Sequence, residues 1–333
     1  MRRNSLSSDI SVDNTGPGDA GPAAAARPRI GLALGAGAAR GWAHIGVIKR
    51  LVAAGIVPDV VAGTSIGALC GGCYVAGKLP QLEEFARGLT RRRVFSLMDF
   101  SWRGSGLIAG NRLARLLENE LGDTRIESLD TPFICIGTEL RTGHEIWLKE
   151  GILADAIRAS YALPGIFKPV HFNDMWLIDG AVVNPVPVSA CRALGARVVI
   201  AVNLTTDVFG AGTVIQAPIL NHDDNNYEQS LRQPIASETA RAAYVRQFFG
   251  RPGGSPGITT VLVAAFNITQ DRLARSRLAG DPPDITINPR SPEVGLFDFD
   301  KADASIRSGW ESTERVLADL ERSIEVLRQT TPA

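Results

Sequence analysis

The chain has 333 residues, 45% of them hydrophobic and 34 of them glycine, which suits one large α/β domain or two modest ones. Thirty-five Lys and Arg offset 35 Asp and Glu. That balance excludes the basic footprint of a nucleic-acid binder and any strong field steering the protein to anionic membranes, but leaves neutral lipids open.

Residues 1–27 are rich in Ser, Asp, Gly, Pro and Ala, the composition of a disordered tail. The start "MRRNSLSSDISVDNTG" turns polar and acidic instead of apolar, so no signal peptide is expected, and no run of about 18 apolar residues predicts a membrane-spanning helix. Four cysteines without a disulfide framework fit a reducing, cytoplasmic setting. Cys70-Gly71-Gly72-Cys73 has redox-motif spacing, yet it lacks a second pair and lies among small apolar residues, so close packing is the preferred reading.

Residues 29–35, "RIGLALG", read as a buried strand. "WAHIGVIKRLVAAGI" carries apolar residues at helical spacing and stops at Gly55. "VPDVVAGTS" is a second strand and "IGALCGGCYVAG" a second helix closed by Gly77. Strand, glycine loop and helix twice in succession predict a parallel sheet covered by helices: an α/β fold in three layers. "RRRVFSLMDFSWRGSGLIAGNRLARLLENEL" mixes basic, aromatic and glycine residues before a helix. Further strands are expected at 132–140, 144–150, 175–180 and 197–204, with helices at "DAIRASYALPG" and "VSACRALG", which closes a core at 28–205. Residues 206–257 turn polar and end in "GRPGGSPG", a mobile insert with one expected helix at 236–249. Residues 258–333 restore order with a strand or apolar helix, the strand "PDITINP" and an amphipathic helix near 303–328, a C-terminal region packed on the core.

Gly63-Thr64-Ser65-Ile66-Gly67 places a serine on a strand-to-helix turn. Gly63 and Gly67 permit so tight a bend, and the helix N-terminus behind Ser65 favours developing negative charge. A second glycine-rich stretch, "LGAGAARGWAHIG" from Gly35 to Gly46, enters a helix with several unpaired N–H groups. Arg40 stands where a dinucleotide fold needs a small residue, and "RGW" lacks the Lys-Ser/Thr of a phosphate loop, whereas an oxyanion-binding loop meets neither objection. For the proton acceptor there are four histidines. His44 falls in a predicted helix as a packed or partly exposed residue, His144 begins a strand, and only His171 and His222 stand where a late-chain base would. Against them, Asp179 ends the apolar strand "MWLID" before Gly180, at the sheet edge expected to hold Ser65. A partly dry carboxylate becomes a better base, although Asp-Gly by itself is also a common turn.

In combination these motifs resemble the patatin-like phospholipase family, in particular its bacterial members akin to neuropathy target esterase. The resemblance runs through "GLALGAGAARGWAHIGVIKRL", "DVVAGTSIGAL", "IRASYALPGIFKPV" and "LIDGAVVNPVPV", about residues 28–205, and "DRLARSRLAGDPPDITINP" is similar to the region beyond the core. It implies a lipid acyl hydrolase with no cofactor and no metal. Ser65 would be the nucleophile and Asp179, in the Asp-Gly-Ala motif with Gly180 and Ala181, its activator. The N–H groups around Gly37 and Ala38 would form an oxyanion hole held by Gly35, Arg40 and Gly41. The family's glycine run is interrupted here by Ala36, Ala38 and Ala39, which constrain the backbone.

The expected partner is a lipid acyl ester, with peripheral contact at the inner membrane surface and no nucleic acid. Segments 95–102, 106–110 and 163–170 are candidates for an acyl trough or for ordinary core, and Arg91-Arg92-Arg93 for head-group contact or a solvated face. Competing readings are a triad esterase using His171 or His222, an adaptor that kept the fold, and a nucleotide binder disfavoured by Arg40. The oligomeric state is not legible.

Overall fold

The computed structural model describes residues 27–97, 99, 106–108, 110–205 and 258–330. Residues 1–26, the insert 206–257 with its expected helix and His222, and most of 98–105 lie outside the described residues.

Strand β1 (Ile30–Leu34) ends at Gly35, and a 3-10 turn (Ala38–Trp42) leads into α1 (Ala43–Ala53). The chain reverses at Gly55, where φ is 76°, and returns as β2 (Val60–Thr64), which passes through Ser65 into α2 (Ile66–Val75). Two helices then appear that the sequence analysis did not separate. α3 (Leu79–Arg87) starts with a proline at its first turn and buries Leu79, Leu82 and Ala86 along one face, while the basic run forms α4 (Arg91–Leu97). Next come β3 (Gly106–Ile108), α5 (Asn111–Leu121), β4 (Phe133–Glu139), β5 (Glu145–Leu148) and α6 (Leu153–Ser160). Short strands β6 (Gly165–Phe167) and β7 (Val170–Phe172) precede β8 (Met175–Asp179), α7 (Val188–Ala193) and β9 (Val198–Val202). The C-terminal part supplies α8 (Ile258–Gly280), β10 (Ile285–Ile287) and α9 (Ala302–Thr330). The open choice at 258 onward thus resolves as helix.

The main sheet runs β10-β9-β1-β2-β4-β8-β7, parallel from β10 to β4. β1, β2, β4 and β9 are buried end to end, as strands covered on both faces must be. One face packs Leu32, Leu34 and Ile200 against α1, α2 and α6 through Ile45, Leu69 and Ile157. The other packs Ala33, Ala62 and Val199 against Ala190 and Cys191 of α7 and Ala274 of α8. The result is helix, sheet, helix: three layers. α9 lies along α1. Among the described residues no helix is long and apolar enough to cross a membrane.

One detail departs from the expected parallel arrangement. β5 pairs antiparallel with one edge of β4, and the other edge is shared by β2, opposite Phe133–Ile136, and by β8, opposite Gly137–Glu139. β8 runs antiparallel to β4, so β2 and β8 meet head to head. Thr64 lies opposite Ile136 and Asp179 opposite the next residue, Gly137. The Ser65 and Asp179 positions converge by collision of two strand ends, not as neighbouring ends of a parallel sheet.

Candidate active site

Ser65 leaves β2 with φ 57° and ψ −121°, a conformation that costs a non-glycine residue about 1–3 kcal/mol. The turn closes because its flanks have no side chains: a Cβ on Gly67 would meet the Leu34 carbonyl, and one on Gly63 would meet the Gly67 and Ala68 backbone. The Ser65 N–H donates to Ser160 Oγ at 2.9 Å, and that hydroxyl donates to the Ile136 carbonyl at 2.6 Å. Ser160, the last residue of α6, is a support that the sequence analysis missed. It has no local signature, since a helical serine points at the site only once α6 is laid against β4.

The Ser65 hydroxyl donates to Asp179 Oδ2 at 2.7 Å. Asp179 is only 2% exposed, and its other oxygen accepts the Ala181 N–H at 2.8 Å. Its N–H donates to the Ala162 carbonyl and its own carbonyl accepts from Thr138 Oγ1, both at 2.9 Å, so backbone and side chain are held together. Burial pushes the carboxyl up to about 7, against the opposing pull of the Ala181 N–H and the Ser65 hydroxyl. Gly180 and Ala181 form the 3-10 turn behind it, Gly180 pressed on the Ile136 carbonyl. A second set of bonds fixes the preceding residue: Thr64 Oγ1 donates to the Asn184 carbonyl, and Asn184 Nδ2 to Glu145 Oε1 at 2.7 Å.

The glycine-rich loop faces the same cavity. Gly35, Ala36 and Ala39 donate their N–H groups to Val202, Pro185 and Leu296 carbonyls, whereas those of Gly37 and Ala38 meet no acceptor among the described residues. Gly37 is extended, and Ala38 takes φ 49°, so the conformational demand expected of the interrupting alanines falls on Ala38 alone of the three. Arg40 and Gly41 lie in the turn Ala38–Trp42, with Gly41 against the Ile66 side chain at the start of α2. Of the two alternatives for His44, the packed one is found: it is fully buried, and its Nε2–H donates to the Gly35 carbonyl at 2.7 Å, bracing the loop from below. Burial pushes it down to about 4, so it is neutral. His144 is exposed and bonded to Thr142, and His171 is exposed against the Trp176 ring at 5.0 Å. Neither lines the cavity.

A cavity of about 170 Å³, partly open to solvent, lies in front of Ser65 and Asp179. Its wall is apolar: Leu163, Ile166 and Phe167 from the expected 163–170 segment, and Leu97 from 95–102. Phe95 instead faces outward. α3 adds Phe85 and α8 adds Val263 and Phe266, contributions that sequence reading missed because an apolar helix position does not show whether it faces the core or a cavity. Arg91, Arg92 and Arg93 lie on the exposed surface of α4, Arg91 near Asp300 at 3.4 Å and Arg93 over the Phe85 ring at 5.5 Å. Cys70 and Cys73 are buried thiols, Cys73 pushed up to about 12 by desolvation, consistent with a packing role. Among the described residues no group of three or more His, Cys, Asp or Glu could hold a metal ion.

A hydroxyl bonded to a buried carboxylate, beside two vacant N–H groups and an apolar cavity, can transfer an acyl group. Comparisons with known proteins identify the family. The sequence model of the patatin-like phospholipase family matches residues 32–192. An uncharacterized NTE family protein of Mycobacterium tuberculosis, Rv1063c, is 32% identical over 304 residues, 79% of this chain and 84% of that protein. The chain belongs to the patatin-like phospholipase family. A second mycobacterial NTE family protein, Rv2565, shares 28% identity with this patatin-like chain over 84% of its length and 45% of the relative's. Lysophospholipase nte1 of Emericella nidulans is 34% identical over 65% of this chain and 15% of the fungal protein. The crystal structure of VipD from Legionella pneumophila superposes with a TM-score of 0.49 at 12% identity, over 88% of this chain and 67% of that one.

Proposed function

We propose that this patatin-like protein is a serine hydrolase of lipid acyl esters, with Ser65 as nucleophile and Asp179 as its base. The observation that carries the proposal is the 2.7 Å bond from Ser65 Oγ to a buried Asp179. Ser65 Oγ attacks the ester carbonyl while its proton passes to Asp179 Oδ2. The carbonyl oxygen, now negative, takes the N–H groups of Gly37 and Ala38, each worth about 3 kcal/mol in such a role. Asp179 returns the proton to the departing alcohol and leaves an acyl-serine. Asp179 then takes a proton from water as the water oxygen bonds the acyl carbon, and returns that proton to Ser65 Oγ as the acyl–serine bond breaks, which releases the fatty acid and restores both residues. A carboxyl near 7 suits this shuttle, because an ordinary carboxylate would hold a proton too weakly to accept it from a hydroxyl.

The apolar wall formed by Leu163, Ile166 and Phe167 supports an acyl chain as the bound group. The catalytic unit is 28–205, to which 258–333 adds α8 at the cavity wall and β10 at the sheet edge. Peripheral contact with a membrane follows from such a substrate, and exposed Phe297, which also borders the cavity, favours it. The test is hydrolysis of a short chromogenic ester and of a lysophospholipid by wild type and Ser65→Ala. The proposal predicts turnover abolished by the substitution. Turnover that survives it would end the proposal.

A further inference from the structure

We propose that Asn267 and Gln270 form a subsite for the alcohol side of the substrate, one that carries free hydroxyl groups; the inference rests on the acyl-hydrolase reading above. Both amides belong to the inward stripe of α8. Val263, Phe266, Asn267 and Gln270 border the cavity and Ala274 enters the core, the recurrence of one helical face. α8 packs against the Gly180–Val182 turn that follows Asp179, and Asn267 and Gln270 line the same cavity as Ser65 and Asp179. Its placement is also tied to the site by hydrogen bonds. Arg277 Nη2 donates to Glu145 Oε2 at 3.1 Å, and the other oxygen of Glu145 receives Asn184, whose carbonyl holds Thr64.

Asn267 is 7% exposed and Gln270 6%; both border the cavity, neither makes a hydrogen bond to another described residue, and their amide atoms are not sealed from solvent. An amide that faces a cavity is hydrated when the cavity is empty, and a ligand that takes the place of that water must offer a donor and an acceptor in return. The helix does not neglect its polar groups in general: Asp271 bonds Arg275 at 3.0 Å, and Thr269 bonds the Ala265 carbonyl at 2.9 Å. Asn267 and Gln270, which border the cavity, have no such bond among the described residues. A carboxamide both donates and accepts without charge, which matches a hydroxyl; a phosphate would call for Arg or Lys. A glycerol carrying free hydroxyls satisfies both amides. A plain alkyl alcohol removes their water and returns nothing.

The experiment compares two esters of one acid, 1-monooleoylglycerol and propyl oleate, in the same mixed micelles. Wild type prefers the glycerol ester. Asn267→Leu and Gln270→Leu each lower kcat/KM for the glycerol ester and raise it for propyl oleate, reducing the preference about tenfold each and about a hundredfold together. A misplaced helix would depress both esters in parallel, and that result, or an unchanged preference, overturns the inference. A binding arm uses the non-hydrolysable 1-O-hexadecylglycerol and hexadecyl propyl ether, read by the fluorescence of Trp42 in the cavity wall. The same shift in the ratio of Kd is expected. If wild type hydrolyses neither ester, the hydrolase reading fails, and the ratio of ether affinities alone upholds or overturns the subsite.

Discussion

Replacing Asp179 by Asn should inactivate the protein and stabilise it, by an amount that grows with pH. Asp179 is held at about 7 in the folded protein, against about 3.9 for an unperturbed Asp, because burial penalises its charge. For a carboxyl raised on folding, the stability contribution is complete below the unfolded value and is lost as pH rises through the folded one. Between pH 5 and pH 7 the wild type must therefore surrender two pH units of stability at about 1.4 kcal/mol each, about 3 kcal/mol in all. Asn has no proton to lose, can still accept the Ala181 N–H, and escapes that loss. Urea unfolding of wild type and Asp179→Asn at pH 5, 6, 7 and 8 measures it, because other titrating groups cancel in the difference. The gap should widen by about 3 kcal/mol from pH 5 to pH 8. A gap independent of pH would refute the buried, raised carboxyl.

The same carboxyl sets the rate. As the base must be ionised, kcat should fall as pH drops through about 7, to about a tenth of its plateau at pH 6, which a pH–rate profile checks. Ser160→Ala removes the acceptor of the Ser65 N–H, so kcat should drop about tenfold with little change in KM, and Ser160→Thr should recover most of it. Ser65→Gly and Ser65→Ala both lose the hydroxyl, but only glycine relieves the backbone at φ 57°; urea unfolding should find the glycine variant more stable by about 1 kcal/mol.

What could be read from the sequence follows from how local each signal is. Gly55 and Gly77 stop α1 and α2 with positive φ, a demand that one residue type advertises by itself. The Ser65 turn is similar, since Gly63 and Gly67 are needed within two residues of it. Asp179 was legible as the end of a strand, but not how it reaches Ser65: β8 docks head-on to β2 along β4, and register across the sheet leaves no trace in either segment. The supporting roles of Ser160 and His44 were not legible for the same reason, because each acts through a hydrogen bond to a residue outside its own helix. The β-branched start of α8, "ITTVLV", suits a strand as well as a helix, so its own residue types leave the choice open. The short strands β3, β6 and β7, three residues each, were invisible to any periodicity.

The central claim is that Asp179 activates Ser65, and covalent labelling tests it most directly. An alkyl fluorophosphonate offers phosphorus to the serine oxygen and loses fluoride, so peptide mass spectrometry can locate the adduct and time its formation. The account predicts one adduct per chain, on Ser65, formed at least a hundredfold more slowly in Asp179→Asn at pH 8, while His144→Ala and His171→Ala label at the wild-type rate. An adduct on another residue, or an Asp179→Asn protein that labels as fast as wild type, would contradict it.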